Sequence, residues 1–311
     1  HKETGEPHPE TYNLLQQVAD LIEKEGINAW FDLKPEQLLS GEDLDSYIKL
    51  TDTLDVWFDS GAMPFAQDHY PFENKNKIDK EGGYPADFIS EAIDQTRGWF
   101  YTLHAIGTLT GKGKAFKNVI CLGHILDKEG KKMSKSLGNI INPFLMMDKY
   151  GADAVRFWMY TVNQPGESKN FDEKTVDEIV KKVFNLISNV VSFYKMYKTN
   201  EVKVEDSLPQ TDNLLDLWII EKLANLIGFV STNLDSYRFF ESGRAIREFV
   251  ADLSQWYIRR SRDRFKSEGL EKEQALKVTH FVLLNLIKVM APFTPFFAEE
   301  MYQELGGRLE S

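Results

Sequence analysis

The chain has 311 residues, 42% of them hydrophobic and 27% charged, with a single cysteine, Cys121, and a formal net charge of −11. That length allows two or three domains of about 100–200 residues, and the apolar content excludes intrinsic disorder. One cysteine excludes both a disulfide framework and a thiolate zinc centre, and no apolar run approaches the roughly 20 residues that span a bilayer; a reducing, cytoplasmic setting without membrane attachment is expected.

Read from the start, Leu14, Leu15, Val18, Leu21 and Ile22 recur at helical spacing over Thr11–Glu25, and Gly26 is a natural stop. Two short polar segments, Lys34–Leu39 and Asp43–Leu50, precede an apolar run, Thr53–Phe58, that reads as a buried strand ending on a turn at Asp59–Gly61. A loop holding Pro64, Pro71 and Pro85 leads to a second strand, Ala86–Ala92. A helix then runs to about Leu109 with Trp99, Leu103 and Ile106 on one face, and a third strand, Asn118–Leu126, closes on a turn at Asp127–Gly130. Apolar strands alternating with a helix predict a parallel sheet with crossover helices.

Asn142–Pro143 marks a helix start, with proline at the first helical position. Beyond Gly151 the pattern is helical throughout: Ala152–Val162, Glu173–Tyr197, Leu214–Leu234, Phe239–Lys266, Lys272–Met290 and Thr294–Leu305, with a polar linker at Thr199–Asn213. The fold class is therefore α/β followed by all-α, the first part being half of a Rossmann-like nucleotide-binding sheet and the second a helical bundle. The boundaries fall at residues 1–150, 151–185 (a connecting region) and 186–311.

Charge is unevenly placed. Seven lysines face two acids between Gly111 and Ser136, and seven basic residues face Glu248, Asp252 and Asp263 between Arg244 and Lys266. Basic stretches on an acidic body suit a phosphate-bearing ligand, although a solvated helix face gives the same pattern. Within the first stretch, Lys132-Met-Ser-Lys-Ser136 brings two ammonium groups and two hydroxyls together on a loop beyond a strand. Phosphoryl and nucleotidyl transfer need positive groups where charge builds on the departing phosphates, and ligands of doubly wound sheets sit beyond the carboxyl ends of the strands.

That pentapeptide matches the KMSKS signature of class I aminoacyl-tRNA synthetases. Asp55-Val-Trp-Phe-Asp-Ser-Gly61, Glu91-Ala-Ile-Asp-Gln-Thr-Arg-Gly-Trp-Phe100, Trp256-Tyr-Ile-Arg-Arg-Ser-Arg262 and Ala291-Pro-Phe-Thr-Pro295 follow in the order of the isoleucine-specific branch. Over essentially its whole length the chain resembles isoleucyl-tRNA synthetases. The resemblance implies activation of L-isoleucine with ATP, release of pyrophosphate, and transfer to the terminal adenosine of tRNA(Ile).

It also implies roles. Lys132, Met133, Ser134, Lys135 and Ser136 would serve the reacting phosphates, and Glu91, Asp94, Gln95, Gly123 and His124 the adenylate. For Glu91 and Asp94, capping of the following helix remains the alternative. The family usually has glycine where this chain has Ala92. Trp57 and Trp99 would wall the isoleucine side chain. Arg244, Arg247, Arg259, Arg260 and Arg262 would meet tRNA, with pairing to Asp252 or Asp263 the alternative for Arg259 and Arg260. Mg²⁺ is expected with ATP, held mainly by its phosphates; no protein metal site is expected, since His124 has no Cys or second His at ligand spacing.

The histidines stand at 1, 8, 69, 104, 124 and 280, so no pair lies three apart and the His-x-Gly-His signature of the family is absent. Starting at His1 inside a polar stretch and stopping after Gly306–Gly307, the chain reads as a piece of a longer, monomeric enzyme that holds half of the activation site and no editing domain. The alternatives are a valine-specific relative, a tRNA-binding module without chemistry, and another nucleotidyltransferase of the superfamily; the helical bundle argues against the last.

Overall fold

A computed structural model describes residues 1–52, 55–198 and 207–307. The chain forms two compact units, His1–Ser60 and Gly61–Ser311. In the first, α1 spans Thr11–Glu25 and ends at Gly26, with Val18 buried, as its periodicity predicts. Short helices α2 (Asn28–Asp32) and α3 (Glu42–Ser46) follow, with a single 3₁₀ turn at Pro35–Gln37 between them.

Of the run read as a strand at Thr53–Phe58, the residues from Val56 on are helical. Thr53 and Leu54 lie outside the described residues, and Val56–Ala66 forms helix α4, which also absorbs the expected turn at Asp59–Gly61 and Pro64 of the expected loop. The reason is in the continuation of the pattern. Gly61 and Phe65, four apart, are the buried residues, a helical period that a six-residue window cannot distinguish from a strand. At Gly61 the missing side chain matters: a Cβ there would stand 2.7 Å from the backbone of Thr102. The rest of the proline-containing segment carries α5, Lys75–Asp79.

Strand β1, Ala86–Ala92, forms with the predicted bounds and pairs in parallel with β2, Phe116–Leu122, through α6, Trp99–Leu109. Ile89, Phe100, Leu103 and Ala115 form a small core where α6 covers the strands. The strands are less buried than their composition suggests, since Phe88 is 50% and Val119 47% exposed. The expected single strand Asn118–Leu126 is also broken. At Gly123 the chain changes partner: β3, Ile125–Leu126, pairs in parallel with β4, Lys169–Asn170, and Gly123 N–H donates to Pro165 O at 2.8 Å. A Cβ at position 123 would meet the Glu167 carbonyl at 2.3 Å, so this close approach requires glycine.

From α7 (Pro143–Tyr150) onward the chain is almost wholly helical: α8 (Ala152–Thr161), α9 (Glu173–Ile179), α10 (Asn185–Tyr197), α11 (Leu214–Asp235), α12 (Phe239–Ala251), α13 (Arg259–Lys266), α14 (Leu270–Met290) and α15 (Pro295–Glu304). The expected helix Glu173–Tyr197 is continuous, but its middle, Val180–Phe184, is π-helical; so is Asp252–Ile258 between α12 and α13. Part of the expected linker, residues 199–206, lies outside the described residues.

The core explains the order of the helices. Val176, Ile179, Val183, Ile187, Val190 and Tyr194 repeat every three or four residues and are all buried, so one face of α9–α10 is apolar. Helix α14 is buried on most sides, at Leu276, Val278, Val282, Leu283, Leu286 and Ile287, and touches α10, α11, α13 and α15. It is the centre of the bundle, with each fully buried Leu or Ile contributing about 1.5–3 kcal/mol.

Candidate functional site

The loop after β3 is built on two polar side chains. Asp127 Oδ1 accepts the Lys131 N–H at 2.7 Å and the Glu129 N–H at 3.1 Å, while Oδ2 accepts Asn139 Nδ2 at 2.8 Å. Asn139 Oδ1 in turn accepts the Ser134 N–H at 2.9 Å, and its Nδ2 also donates to Lys132 O at 3.3 Å. Asp127 is buried, and the Asn139 hydrogen bond, followed by the Lys131 amide, holds its carboxyl below the ordinary aspartate value.

Within the loop, Ser134 Oγ accepts the Leu137 N–H at 3.3 Å and lies 3.1 Å from Ser136 Oγ, starting one 3₁₀ turn at Lys135–Leu137. Met133, grouped by sequence with the phosphate-facing residues, is half-buried and packs against the helical core. It anchors the loop while its neighbours point out. Lys132 and Lys135 are exposed, and among the described residues neither ammonium has an ion pair or hydrogen bond.

Glu91 stands at the carboxyl end of β1 beside Cys121, and Asp94 lies in the 3₁₀ turn Ile93–Arg97 that follows. Neither caps a helix. The capping acceptor is Gln95, whose Oε1 takes the Trp99 N–H at 3.0 Å. Glu91 and Asp94 are exposed, with no hydrogen bond or ion pair to a described residue. Ala92 has φ −69° and ψ 158°, extended backbone that any residue adopts. Gly123 is held by the approach of Glu167, and His124, expected to serve the adenylate, is exposed while its carbonyl accepts the Lys169 N–H at 2.8 Å.

Trp99 is half-buried against the Ile89–Phe100–Leu103 cluster. Trp57 sits in the first turn of α4 rather than on a strand and is 38% exposed; its N–H donates to Asp55 Oδ1 at 2.9 Å. Lys169 escaped notice in the sequence, where nothing distinguishes a two-residue strand of Lys and Asn. Its ammonium is buried, bonded to Asn163 Oδ1 at 2.6 Å and Gln164 O at 2.9 Å, and burial lowers its pKa.

On the bundle, Arg259, Arg260 and Arg262 are exposed, and no described carboxylate pairs with them. Asp252, one expected partner, pairs with Lys222 at 3.0 Å. The Arg260 guanidinium lies 3.7 Å from the ring centre of Trp256, itself 48% exposed, a cation–π stack. Arg264, four residues on, behaves differently: it grips the fully buried Asp216 through two bonds of 2.6 and 2.7 Å. Burial works against its charge, but the Asp216 hydrogen bonds outweigh that and raise its pKa above the ordinary arginine value. Arg244 and Arg247 line a cleft of about 510 Å³ with Lys182, Glu178 and Glu248, so acids share that surface.

The family described as tRNA synthetases class I (I, L, M and V) matches residues 1–172, and the anticodon-binding domain of tRNA ligases matches residues 216–311. An isoleucine–tRNA ligase of Dehalococcoides mccartyi is 48% identical over 266 residues, covering 83% of this chain and 26% of that protein. One of Clostridium novyi is 46% identical over 268 residues, 84% of this chain and 25% of its own length. The chain thus spans about a quarter of the length of these curated relatives. In fold it is similar to methionyl-tRNA synthetase of Mycobacterium tuberculosis in complex with methionyl-adenylate (TM-score 0.69, 18% identity, 82% of this chain and 50% of that one). It is also similar to the LeuRS of Agrobacterium radiobacter in its ternary complex with tRNA and LeuAMS (TM-score 0.64, 21% identity, 83% of this chain and 32% of that one).

Proposed function

The chain belongs to the class I tRNA synthetases, and we propose from that premise that it forms part of an isoleucine–tRNA ligase. In this reading ATP activates L-isoleucine to the adenylate with loss of pyrophosphate, and the aminoacyl group passes to the 3′-terminal adenosine of tRNA(Ile). The observation that carries the reading is the pair of ammonium groups, Lys132 and Lys135, unpartnered among the described residues, on a loop after β3 whose base is fixed by hydrogen bonds. Preorganised cations at a developing phosphate charge stabilise the transition state without reorganising during the step.

The remaining roles follow from chemistry. Glu91 and Asp94, left free by the Gln95 cap, suit acceptance from the vicinal hydroxyls of a ribose, beside Gly123 and His124. By the resemblance, this reading assigns Trp57 and Trp99, each by itself, to the apolar side-chain pocket of the complete enzyme. Such a pocket distinguishes isoleucine from valine only by about 1–3 kcal/mol, the worth of one methylene. Among the described residues no group of three or more His, Cys, Asp or Glu is placed to hold a metal ion; Mg²⁺ would enter with ATP, its ligands phosphate oxygens and water.

The anticodon-domain match and Arg259, Arg260 and Arg262, unpaired among the described residues, support tRNA as the partner, with Arg244 and Arg247 in a mixed-charge cleft as the weaker contacts. Residues 1–150 would be the second half of the catalytic domain, 151–185 the connecting region and 186–311 the anticodon bundle. No described helix is long and apolar enough to cross a membrane; a cytoplasmic monomer is the state we assign to the complete enzyme. The test is ATP–pyrophosphate exchange. The complete protein should exchange on addition of isoleucine and far less with valine at equal concentration, and the 311 residues alone should not exchange. Stimulation by valine in preference to isoleucine would overturn the assignment.

A further inference from the structure

The reading of residues 131–139 as the phosphate-facing loop leaves open what sets the loop's shape. Three observations converge on Asp127 and Asn139. First, the two side chains bond each other at 2.8 Å across twelve residues of sequence, and between them they take the backbone N–H groups of Glu129, Lys131 and Ser134. Both ends of the segment that carries Lys132 and Lys135 are thereby tied to one point. Second, both are at least partly buried, so these bonds are sheltered from competing water. Third, the loop has little packing behind it. Asp127 and Asn139 border a cavity of about 710 Å³ reaching to Tyr150 and Glu173, and Met133 alone from the KMSKS segment packs on the helical core. Where packing is sparse, hydrogen bonds determine the backbone path.

We propose that Asp127 and Asn139 are a clasp that positions the loop, and through it the Lys132 and Lys135 ammonium groups, without touching substrate. The inference rests on the function proposed for that loop. The pairing is polar in a definite sense: Asp127 offers only acceptors, and Asn139 supplies the donor toward it. Asp127→Asn alone sets an amide nitrogen against the Asn139 nitrogen, because its oxygen is claimed by the Lys131 and Glu129 N–H groups. Asn139→Asp alone sets two carboxylates face to face. The exchanged pair, Asp127→Asn with Asn139→Asp, restores one donor and one acceptor at the junction and keeps an acceptor for the Ser134 N–H.

Hydrogen exchange of the 311-residue chain and ATP–pyrophosphate exchange by the complete enzyme test this together. Each single variant should lower protection of the Lys131 and Ser134 amides by roughly tenfold, because it breaks the charge-assisted Asn139–Asp127 bond that joins their two acceptors, with the amides of α14 unchanged. The exchanged pair should recover most of it. In the complete enzyme the singles should lower kcat with little change in KM for isoleucine, and the exchanged pair should regain activity. Loop protection equal to wild type in both singles, no recovery in the exchanged pair, or equal loss of protection in α14 would each overturn the clasp. If Lys135→Ala abolishes pyrophosphate exchange while the clasp variants leave it intact, the clasp fails and the reading of the loop stands. If Lys135→Ala is also without effect, that reading fails, and the clasp's role with it.

Discussion

Asp127 is a carboxylate that gathers three donors, and its ionisation is therefore linked to the order of the loop. Its pKa is depressed, first by the Asn139 hydrogen bond and then by the Lys131 amide. A depressed acid contributes its stabilisation fully above its unfolded value, about 3.9, and loses it only as pH falls through the lower folded value. The Asp127 carboxyl carbon, followed by NMR, should thus titrate with a midpoint below about 3.9, and the Ser134 amide shift should move with it. A midpoint at or above the ordinary aspartate value contradicts the geometry. At this scale the sequence was partly readable. The string at Lys132–Ser136 identified the two lysines, but Met133 as the anchor and Gln95 as the helix cap depend on which way a side chain turns, and spacing does not encode that. The turn at Asp127 was visible, yet nothing in one sequence says that it meets Asn139, twelve residues on.

Among the elements, α11 and α13 are joined by one buried ion pair. Asp216, fully buried at the start of α11, accepts two bonds from Arg264 and one from Tyr257 Oη at 2.7 Å, while Thr211 Oγ1 donates to it at 3.0 Å. Removing one partner of such a pair strands a buried charge, at a cost of about 3–5 kcal/mol. Arg264→Met should therefore lower the urea midpoint by that amount of stability, and Asp216→Leu combined with Arg264→Met should restore much of it. Equal stability of wild type and Arg264→Met would show that the pair is not structural. The contrast with Arg259, Arg260 and Arg262 was not legible in a run of arginines, because partner choice is fixed by helix packing. The helices themselves were: long amphipathic periods such as Val176–Tyr194 hold whatever their surroundings. Short apolar runs do not. Val56–Phe58 became part of a helix whose period shows only further along, at Gly61 and Phe65, and Asn118–Leu126 split at Gly123, where Glu167 approaches from a distance in sequence.

Taken whole, the molecule carries a net charge of −11, and among the described residues Lys132, Lys135, Arg259, Arg260 and Arg262 are cations without an ion-pair partner. Three acids near these regions are engaged with other bases: Asp252 with Lys222, Glu178 with Lys182, Glu173 with Lys149. The α/β-then-helical architecture was readable from the change of hydrophobic period near Gly151, whereas the exposure of Phe88 and Val119 was not, since composition reports what a strand prefers and not what covers it. The lysine pair is the feature on which the functional account turns. Steady-state ATP–pyrophosphate exchange by the complete enzyme, with Lys132→Ala and Lys135→Ala compared with wild type, measures its contribution. The account predicts a fall in kcat of about 10²–10³-fold for either variant, the scale of losing one preorganised transition-state contact, with KM for isoleucine nearly unchanged. An unchanged kcat, or a loss confined to KM for isoleucine, would contradict it.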